Sequence, residues 1–352
     1  MSSACFRLSL LFVVIFSYGA IRAQVLREYL GHLMQLDRFS GSILISKGEE
    51  VIFHGACGLA NVKNDIAITT KTKFRLSSIT KQFTSMAIMI LQERGQLNID
   101  HPIGLYLTGY PNGDKITIRH LLTHMSGLFC FTKDGDQKRY RDLSIKATYV
   151  DEIINMYSWA MPNFAPGSQF RYCNYGYVLL AKIIENITHK RFGDFLRENI
   201  WNPLEMYSTG IDYCGSDCAV GYEKFGVPVE YFNVACVLGA ADMYSTTGDL
   251  YKWHLALREN ARKRVLVNPG TLKQIFTPAS AANNGLGWFV YPLMINGKGH
   301  RCTAHMGGIR GVRTMITRFI DDDVCLIVLS NLETVSSQKI SEDLARIILE
   351  GF

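Results

Sequence analysis

Strand-like runs lie near both ends of the chain, and the long middle part has a helical pattern. Two runs flank a turn near the N-terminus, at residues 41–46 and 51–54. Three more occupy residues 287–291, 312–317 and 324–329 near the C-terminus. Because a strand must pair to be stable, runs this far apart predict one sheet built from both ends of the chain.

The helical pattern extends over about residues 80–260 and is broken by proline and glycine. The apolar run 86–91 predicts a buried helix, and residues 177–186 predict another. A last helix is expected at about residues 336–349. If the helices pack against the sheet, a cleft between them and the sheet edge is the natural place for a ligand.

The first 23 residues have the layout of a secretory signal peptide. Arg7 precedes an apolar core of about eleven residues, and Ala20-Ile21-Arg22-Ala23 follows it. The core is short for a membrane span. We therefore expect residues 1–23 to be a signal peptide cleaved after Ala23, and the protein to be periplasmic or secreted. An uncleaved membrane anchor is the alternative, and only that alternative would make a membrane a partner.

Charge and composition argue against binding of nucleic acid. The chain has 352 residues, of which 48% are hydrophobic and 19% charged, with a formal charge of +6. This composition is typical of a globular protein, and the basic residues are scattered rather than gathered in a long run.

Cysteine usage permits disulfides without predicting their pairing. Cys5 lies in the predicted signal peptide, and eight cysteines remain in the expected mature chain. An even number in an exported protein is compatible with disulfides. Cys214 and Cys218 are the one close pair, for which we expect a local disulfide or two free thiols rather than a zinc site. No metal site is predicted.

Ser78 and Lys81 lie directly before the apolar run 86–91. A spacing of three places both side chains on one face of a helix. A serine at a helix N-terminus has free backbone N–H groups beside it, and a lysine one turn further on can take its proton when its own charge is suppressed. The pair is a candidate nucleophile and base, although Ser336 and Lys339 repeat the same spacing.

Tyr172 and Asn174 lie in a turn-rich stretch, residues 166–177, that leads into a predicted helix. A tyrosine oxygen can shuttle protons when a nearby lysine favours its phenolate, and an asparagine offers both a donor and an acceptor. A loop tyrosine packed beside an amide is the plainer interpretation, and Tyr231 and Asn233 repeat the pattern.

His305, Gly307 and Gly308 come just before a predicted strand. Glycines there allow a substrate to lie close to the backbone, and the Gly308 N–H could donate to an oxyanion. A plain turn with a surface histidine is the alternative.

These stretches together resemble the β-lactamase-related serine hydrolases. That superfamily includes class C β-lactamases, D-alanyl-D-alanine carboxypeptidases, D-aminopeptidases and esterases with the same fold. The similar segments follow the family's order over most of residues 40–350. They are residues 74–83, 116–128, 166–177, 239–250, 305–311 and 328–331. Only the first copy of each repeated pattern occupies the expected place in this order.

The resemblance implies the fold and the domain layout. The expected fold is α/β of the α+β type, β-lactamase/transpeptidase-like, with an antiparallel sheet flanked by helices and a helical insertion domain. Residues 24–352 would form the hydrolase domain. Its sheet part would comprise about residues 24–80 and 260–352, and its helical part about residues 81–259.

The resemblance also implies a function and its residues. Ser78 would be the nucleophile, with Lys81 and Tyr172 as general base. Gly308, with Gly307, would supply the oxyanion and substrate contacts, and Asn174 and His305 would line the substrate site. No cofactor is needed, and the substrate would be a small molecule or a peptide, for example one derived from peptidoglycan.

Departures from the family pattern reduce the number of reactions to consider. Lys-Thr-Gly is replaced by His305-Met306-Gly307 and no Ser-Asp-Asn occurs, which argues against a class A β-lactamase. The expectation is an exported hydrolase of an ester or amide. The alternatives are a D-alanyl-D-alanine carboxypeptidase or D-aminopeptidase, and a penicillin-recognising sensor without turnover. Arg310 and Arg313 would meet a substrate carboxylate or form a solvated strand face.

Overall fold

The structure is a computed structural model, and it describes most of the chain. The described residues are 20–35, 39–132, 134, 142, 149–212, 218–230, 233–258 and 266–349. Most of the predicted signal peptide, Cys214 and Tyr231 lie outside them.

A six-stranded antiparallel sheet forms the centre of the molecule, which confirms the expected fold class. Its strands, in spatial order, are β10 (Phe289–Ile295), β11 (Lys298–Ile309), β12 (Val312–Phe319), β13 (Val324–Ser330), β1 (Gly41–Lys47) and β2 (Glu50–Cys57). The two ends of the chain meet where β1 pairs with β13, with Ile43 opposite Val328. Every residue of β13 is buried, as its unbroken apolar run predicts for a central strand.

Short strands connect the sheet with the helical part. They are β3 (Leu59–Asn61), β4 (Ile66–Ala67), β5 (Phe74–Arg75), β6 (Gly210–Ile211), β7 (Tyr222–Lys224), β8 (Val227–Pro228) and β9 (Met243–Ser245). In one of the small sheets, β9 pairs with both β5 and β6. Because β5 leads directly to Ser78, this sheet fixes the direction from which the chain enters the candidate nucleophile turn.

Helices cover both faces of the main sheet. They are α1 (Ala20–Gln35), α2 (Thr80–Glu93), α3 (Ile118–Leu122), α4 (Val150–Tyr157), α5 (Asn174–Thr188), α6 (Phe192–Leu196), α7 (Thr247–Ala256), α8 (Pro269–Ile275) and α9 (Ser337–Leu349). Short turns of 3₁₀ helix occur at Ser77–Ile79, Ile103–Leu105 and Val234–Val237, and Arg197–Trp201 is a π-helical turn. In the described part of the chain, no helix combines the length and apolar character needed to cross a bilayer.

Two hydrophobic cores lie on opposite faces of the sheet. On one face, Leu26 and Leu30 of α1 pack with Leu344 and Ile348 of α9. The other face carries a larger core that contains α2, α5 and α7. Because α2 is buried from Thr80 to Leu91, any polar group on it faces either the core or an internal site.

Sequence reasoning missed β11, the longest strand of the sheet, because no strand-like run was recognised over residues 298–309. His305 and Gly308 lie in this strand, which contradicts the alternative of a plain turn. Its charged start and its glycines disfavour a strand, but β10 and β12 pair with it on either side. Pairing with neighbours therefore overrides the weak intrinsic preference.

Candidate active site

Ser78 lies on a 3₁₀ turn, Ser77–Ile79, that runs directly into α2. The Leu76 N–H donates to the Met243 carbonyl (2.7 Å), and the Thr314 hydroxyl donates to the Leu76 carbonyl (2.9 Å). Both β9 and β12 therefore hold the turn in place. The placement agrees with the expectation of a serine at the start of a buried helix.

Strain is stored immediately before the candidate nucleophile. Ser77 has φ +52°, a left-handed conformation that is uncommon for a residue with a side chain. It is buried, and its hydroxyl has no hydrogen-bond partner in the described structure. Such a conformation persists only where the surrounding packing imposes it, and it is concentrated at functional sites.

Lys81 connects three parts of the chain through one buried amino group. Its Nζ lies 3.3 Å from Ser78 Oγ, 2.8 Å from Asn174 Oδ1 and 2.8 Å from the Ala240 carbonyl oxygen. The side chain is 0% exposed. An ammonium group has three N–H donors, and these three acceptors match them. The geometry therefore holds the amine against the serine and prevents it from swinging into solvent.

Tyr172 completes a triangle with the serine and the lysine. Its hydroxyl is hydrogen-bonded to Ser78, and Lys81 Nζ lies 4.9 Å from the centre of its ring. Burial raises the pKa of the Tyr172 hydroxyl well above its ordinary value of 10. At neutral pH the resting side chain is therefore a phenol, which can donate a proton but accepts one only after losing its own.

Asn174 is oriented from both sides of its amide. It is the first residue of α5, and its Oδ1 accepts from Lys81. Its Nδ2 donates to Thr132 Oγ1 (3.1 Å). Thr132 thus fixes which end of the amide faces the lysine, a role that sequence reasoning did not assign.

His124 supports Tyr172 from below and is a second residue that sequence reasoning missed. The two rings lie 4.3 Å apart, and the Cys173 N–H donates to His124 Nδ1 (3.1 Å). His124 is buried and has φ +57°. The segment 116–128 already resembled a structural signature, but no local pattern identified the histidine as the contact to Tyr172.

His305 forms an uncharged wall of the site. It is buried, its Nδ1 donates to the Met306 carbonyl (2.8 Å), and its ring lies 6.4 Å from that of Tyr172. Burial, together with the positive charge of Lys81, lowers its pKa to about 3. This position contradicts the interpretation of His305 as a surface residue.

The N–H of Gly308 faces an open strand edge. The Val290 N–H donates to the Asn283 carbonyl and therefore points away from β11. Because backbone N–H groups alternate in direction along a strand, the N–H of Phe289 points towards its β11 partner, Ala304. The same alternation points the Gly308 N–H to the β10 side of β11. Because β10 pairs with β11 only as far as Ala304, no strand among the described residues lies beside that N–H. The geometry therefore suits the predicted donor to an oxyanion.

Gly307 packs against the turn that carries Ser78. A Cβ at this position would overlap the Leu76 carbonyl and the Thr314 hydroxyl, whereas a Cβ at Gly308 would meet nothing closer than 3.8 Å. Close approach of β11 to the nucleophile turn thus requires glycine at 307 and not at 308.

Arg310 and Arg313 already face carboxylates. Arg313 donates to Glu333 (3.0 Å) and to the carbonyls of Ile309 and Val312, and Arg310 lies 3.7 Å from Glu230. Arg310 and Glu230 are both more than half exposed, as in the alternative of a solvated face, whereas Arg313 is partly buried in its pair with Glu333.

The repeated Ser-x-x-Lys pattern lies elsewhere. Ser336 is exposed at the start of α9, and Lys339 forms an ion pair with Asp343 (3.1 Å) on the surface. This serine and lysine therefore lack the buried surroundings that Ser78 and Lys81 share.

We expect Gly307→Ala to destabilise the protein by about 2 kcal/mol, the usual range for overpacking, and to lower hydrolysis by shifting the Ser78 turn. Gly308→Ala is the matched control, because its Cβ has room. Urea unfolding of both variants measures the difference. Equal unfolding midpoints for the two variants would contradict the close approach of β11.

We expect stability to fall on acidification from about pH 6.5 towards pH 3. The pKa of buried His305 is lowered to about 3 and that of buried His254 is also lowered, so the unfolded chain binds protons that the folded chain does not. At pH 5 the lowered pKa of His305 alone corresponds to a loss of about 2 kcal/mol of stability. Urea midpoints at pH 7 and pH 5 should differ less for His305→Gln than for the wild type. An unchanged difference would show that His305 is not held neutral.

Comparison with known proteins identifies the family of the chain. The family model described as "Beta-lactamase" matches residues 24–349. Penicillin-binding protein 4* of Bacillus subtilis is 30% identical over 341 residues, which cover 88% of this chain and 71% of that protein.

Solved structures show the same fold. The penicillin-binding protein from Bacillus halodurans superposes with a TM-score of 0.77 at 25% identity, over 90% of this chain and 99% of that one. The D-amino acid amidase from Ochrobactrum anthropi has a TM-score of 0.76 at 24% identity, over 93% of this chain and 96% of that one. With the family model matching nearly the whole sequence, the chain belongs to the Beta-lactamase family.

Proposed function

We propose that the protein is a serine hydrolase that cleaves an ester or amide through an acyl-enzyme on Ser78. Membership of the family supports a serine hydrolase. The observation that carries the proposal is the position of Lys81 Nζ, in contact with Ser78, Asn174 and the Ala240 carbonyl, while Tyr172 bonds to the same serine.

The proposed reaction begins with attack of Ser78 Oγ on the substrate carbonyl. The ammonium of Lys81 must first lose one of its three protons, and the resulting amine accepts the serine proton directly or through Tyr172. The N–H groups of Ser78 and Gly308 hold the negative oxygen of the tetrahedral intermediate. Donors of this kind contribute about 3–4 kcal/mol each in well-studied hydrolases.

Collapse of the intermediate breaks the bond to the leaving group. Tyr172 is a phenol at rest and can therefore deliver a proton to the departing oxygen or nitrogen, while Lys81 resupplies it. Water then attacks the acyl-enzyme through the same groups in reverse. Asn174 holds Lys81, and His305 stays neutral as a wall of the leaving-group side.

Tyr172→Phe should slow hydrolysis of an ester about 100-fold, because one group for proton transfer is lost while the ring stays in place. The larger loss is expected for an amide, whose nitrogen must be protonated to leave. Stopped-flow acylation rates with a p-nitrophenyl ester and an anilide measure this. If the variant acylates as fast as the wild type on both, Tyr172 has no part in proton transfer.

A carboxypeptidase must bind the terminal carboxylate of its substrate. Arg313 is a poor candidate for this role, because it donates to Glu333 and to two backbone carbonyls. Arg310 is exposed and lies 3.7 Å from the exposed Glu230, a pairing of small energetic value that a substrate carboxylate can replace. An esterase or amidase is therefore the leading proposal, and a D-alanyl-D-alanine carboxypeptidase or a D-aminopeptidase is the alternative.

One substrate panel separates these activities. The mature protein and Ser78→Ala are compared on p-nitrophenyl esters, a D-amino acid amide, a D-alanyl-D-alanine peptide and nitrocefin. The proposal expects steady turnover of esters or amides that is lost in the variant. If D-alanine is released faster than esters or amides are hydrolysed, the protein is a carboxypeptidase. A burst of acylation without steady turnover would instead identify a penicillin-recognising sensor.

We further propose that the protein is exported and cleaved after Ala23. The apolar segment before this point supports export, and its removal spares the side chains that anchor α1, among them Leu26, Leu30 and Met34. A substrate made from peptidoglycan would be met in that compartment. N-terminal sequencing of the exported protein should begin at Gln24, and an intact Met1 would reject cleavage.

A further inference from the structure

Cys130 and Cys173 form a buried pair of thiols beside the candidate active site. Cys173 Sγ lies 3.8 Å and 4.0 Å from the carbonyl oxygens of Leu128 and Phe129, the two residues directly before Cys130, so the two buried side chains are neighbours. Neither is in a disulfide. In the sequence, Cys173 lies between Tyr172 and Asn174. A movement of its backbone therefore displaces two residues of the candidate active site.

A chain of hydrogen bonds connects this pair with the candidate nucleophile. Cys130 Sγ lies 3.2 Å from Thr132 Oγ1, which accepts from Asn174 Nδ2 (3.1 Å). The other end of the same amide accepts from Lys81, whose Nζ lies 3.3 Å from Ser78 Oγ. The side chain of Cys130 thus sets the position of the threonine that orients the amide.

The segments that carry the two cysteines are also fastened to each other. The Cys130 N–H donates to Asp134 Oδ2 (2.9 Å), and the same carboxylate forms an ion pair with Arg171. The Cys173 N–H donates to His124. Because these contacts hold both segments, we expect a change in the distance between the two sulfurs to displace the backbone around them.

We propose that Cys130 and Cys173 are a site of reversible oxidation, at which a disulfide switches the Ser78 site off. The effect on activity rests on the proposed function of Ser78. The oxidant is a hydroperoxide. The pair then acts as a redox-sensitive control on hydrolysis.

The reaction takes place in two steps. The Cys130 thiolate attacks one peroxide oxygen, the O–O bond breaks, and a sulfenic acid and hydroxide form. The Cys173 sulfur then attacks the Cys130 sulfur, and the sulfenic oxygen leaves as water with the Cys173 proton. In sum, two thiols and one hydrogen peroxide give one disulfide and two waters. Interaction with the Cys173 side chain lowers the pKa of the Cys130 thiol, which suits Cys130 to the first attack.

Formation of the disulfide shortens the contact between the sulfurs to about 2.05 Å. The backbone at 172–174 and at 130–132 must take up the difference. Because a displacement of about 1 Å in an active site can cost about 100-fold in rate, a substantial loss of activity is expected. A reductant restores the thiols and the original positions.

The test uses the full-length mature protein, reduced and then treated with stoichiometric hydrogen peroxide. Non-reducing peptide mass spectrometry should find the 130 and 173 peptides joined. Hydrolysis of a p-nitrophenyl ester should fall at least tenfold and recover with dithiothreitol. Absence of the joined peptide, or a joined peptide with an unchanged rate, would overturn the proposal.

Variants and a second readout keep the outcome independent of the proposed hydrolysis. Cys130→Ser and Cys173→Ser should each abolish the peroxide-dependent loss, while Cys57→Ser, a half-buried thiol bonded to the Phe39 carbonyl, should retain it. Hydrogen exchange of the peptide spanning 171–175 should speed up on oxidation, because the bond from the Cys173 N–H to His124 is strained. If the reduced protein hydrolyses none of the substrates, the proposed function fails, and hydrogen exchange alone tests the redox switch. Exchange that is unchanged by oxidation would then overturn the switch.

Discussion

Ser78→Ala should reduce hydrolysis of an activated ester by about five orders of magnitude or more, close to the loss found when the nucleophile of a serine protease is removed. Covalent labelling by a fluorophosphonate and by a fluorescent penicillin should vanish with it. The loss follows from the geometry, because Lys81 and Tyr172 both bond to this hydroxyl. The protein should still fold, since alanine fits a 3₁₀ turn that β9 and β12 hold in place.

Ser336→Ala is the matched control for this prediction. Ser336 begins the other Ser-x-x-Lys sequence, but it is exposed on the far helix α9. Its replacement should leave both labelling and hydrolysis unchanged. If Ser78→Ala is still labelled, or Ser336→Ala is not, the nucleophile has been assigned to the wrong serine.

Lys81→Met should lower the acylation rate by about three to four orders of magnitude while the nucleophile itself remains. Methionine fills most of the buried volume but removes the group that accepts the serine proton. It also leaves the Ala240 carbonyl and the Asn174 amide without their donor. Single-turnover acylation rates measured across pH 6–10 test this prediction. We expect the rate of the variant to be lower and its dependence on pH to differ from that of the wild type.

Lys339→Met provides the comparison for Lys81. This lysine has the same spacing from its serine but forms an exposed ion pair with Asp343, a contact of small energetic value. Acylation by this variant should equal that of the wild type. Wild-type acylation by Lys81→Met would remove the lysine from the mechanism and leave Tyr172 as the sole base.

Much of the sheet was predictable because several of its strands have a recognisable local sequence pattern. Residues 41–46 and 324–329 are apolar, rich in β-branched residues and bounded by turn signals, and the structure pairs them as β1 and β13. The strand β11 was not predictable in this way. Its stretch Lys298–Arg301 is charged and its end contains two glycines, so only the neighbours β10 and β12 make it a strand.

The site was predictable where the sequence holds short motifs and was not where contacts come from remote segments. Spacing and resemblance together pointed to Ser78, Lys81 and Tyr172, and the structure brings their polar groups within reach of one another. Nothing in the sequence near Thr132 or His124 indicates that one orients Asn174 and the other supports Tyr172. Those roles arise only when segments some forty residues apart pack together.

The surroundings of each group also decide its protonation, which residue type alone does not. His305 looks like a candidate acid or base in the sequence, but burial beside Lys81 holds it neutral. Tyr172 looks like a candidate base, but burial keeps its proton in place at rest. The same two side chains on the surface would titrate near their ordinary values.

The position of the covalent bond during turnover tests the account most directly. The mature protein is quenched with acid while it hydrolyses a slow ester, and the acylated peptide is located by tandem mass spectrometry. The account predicts an acyl group on Ser78 that accumulates and disappears at the rate of turnover. An acyl group on any other residue, or turnover with none, would contradict it.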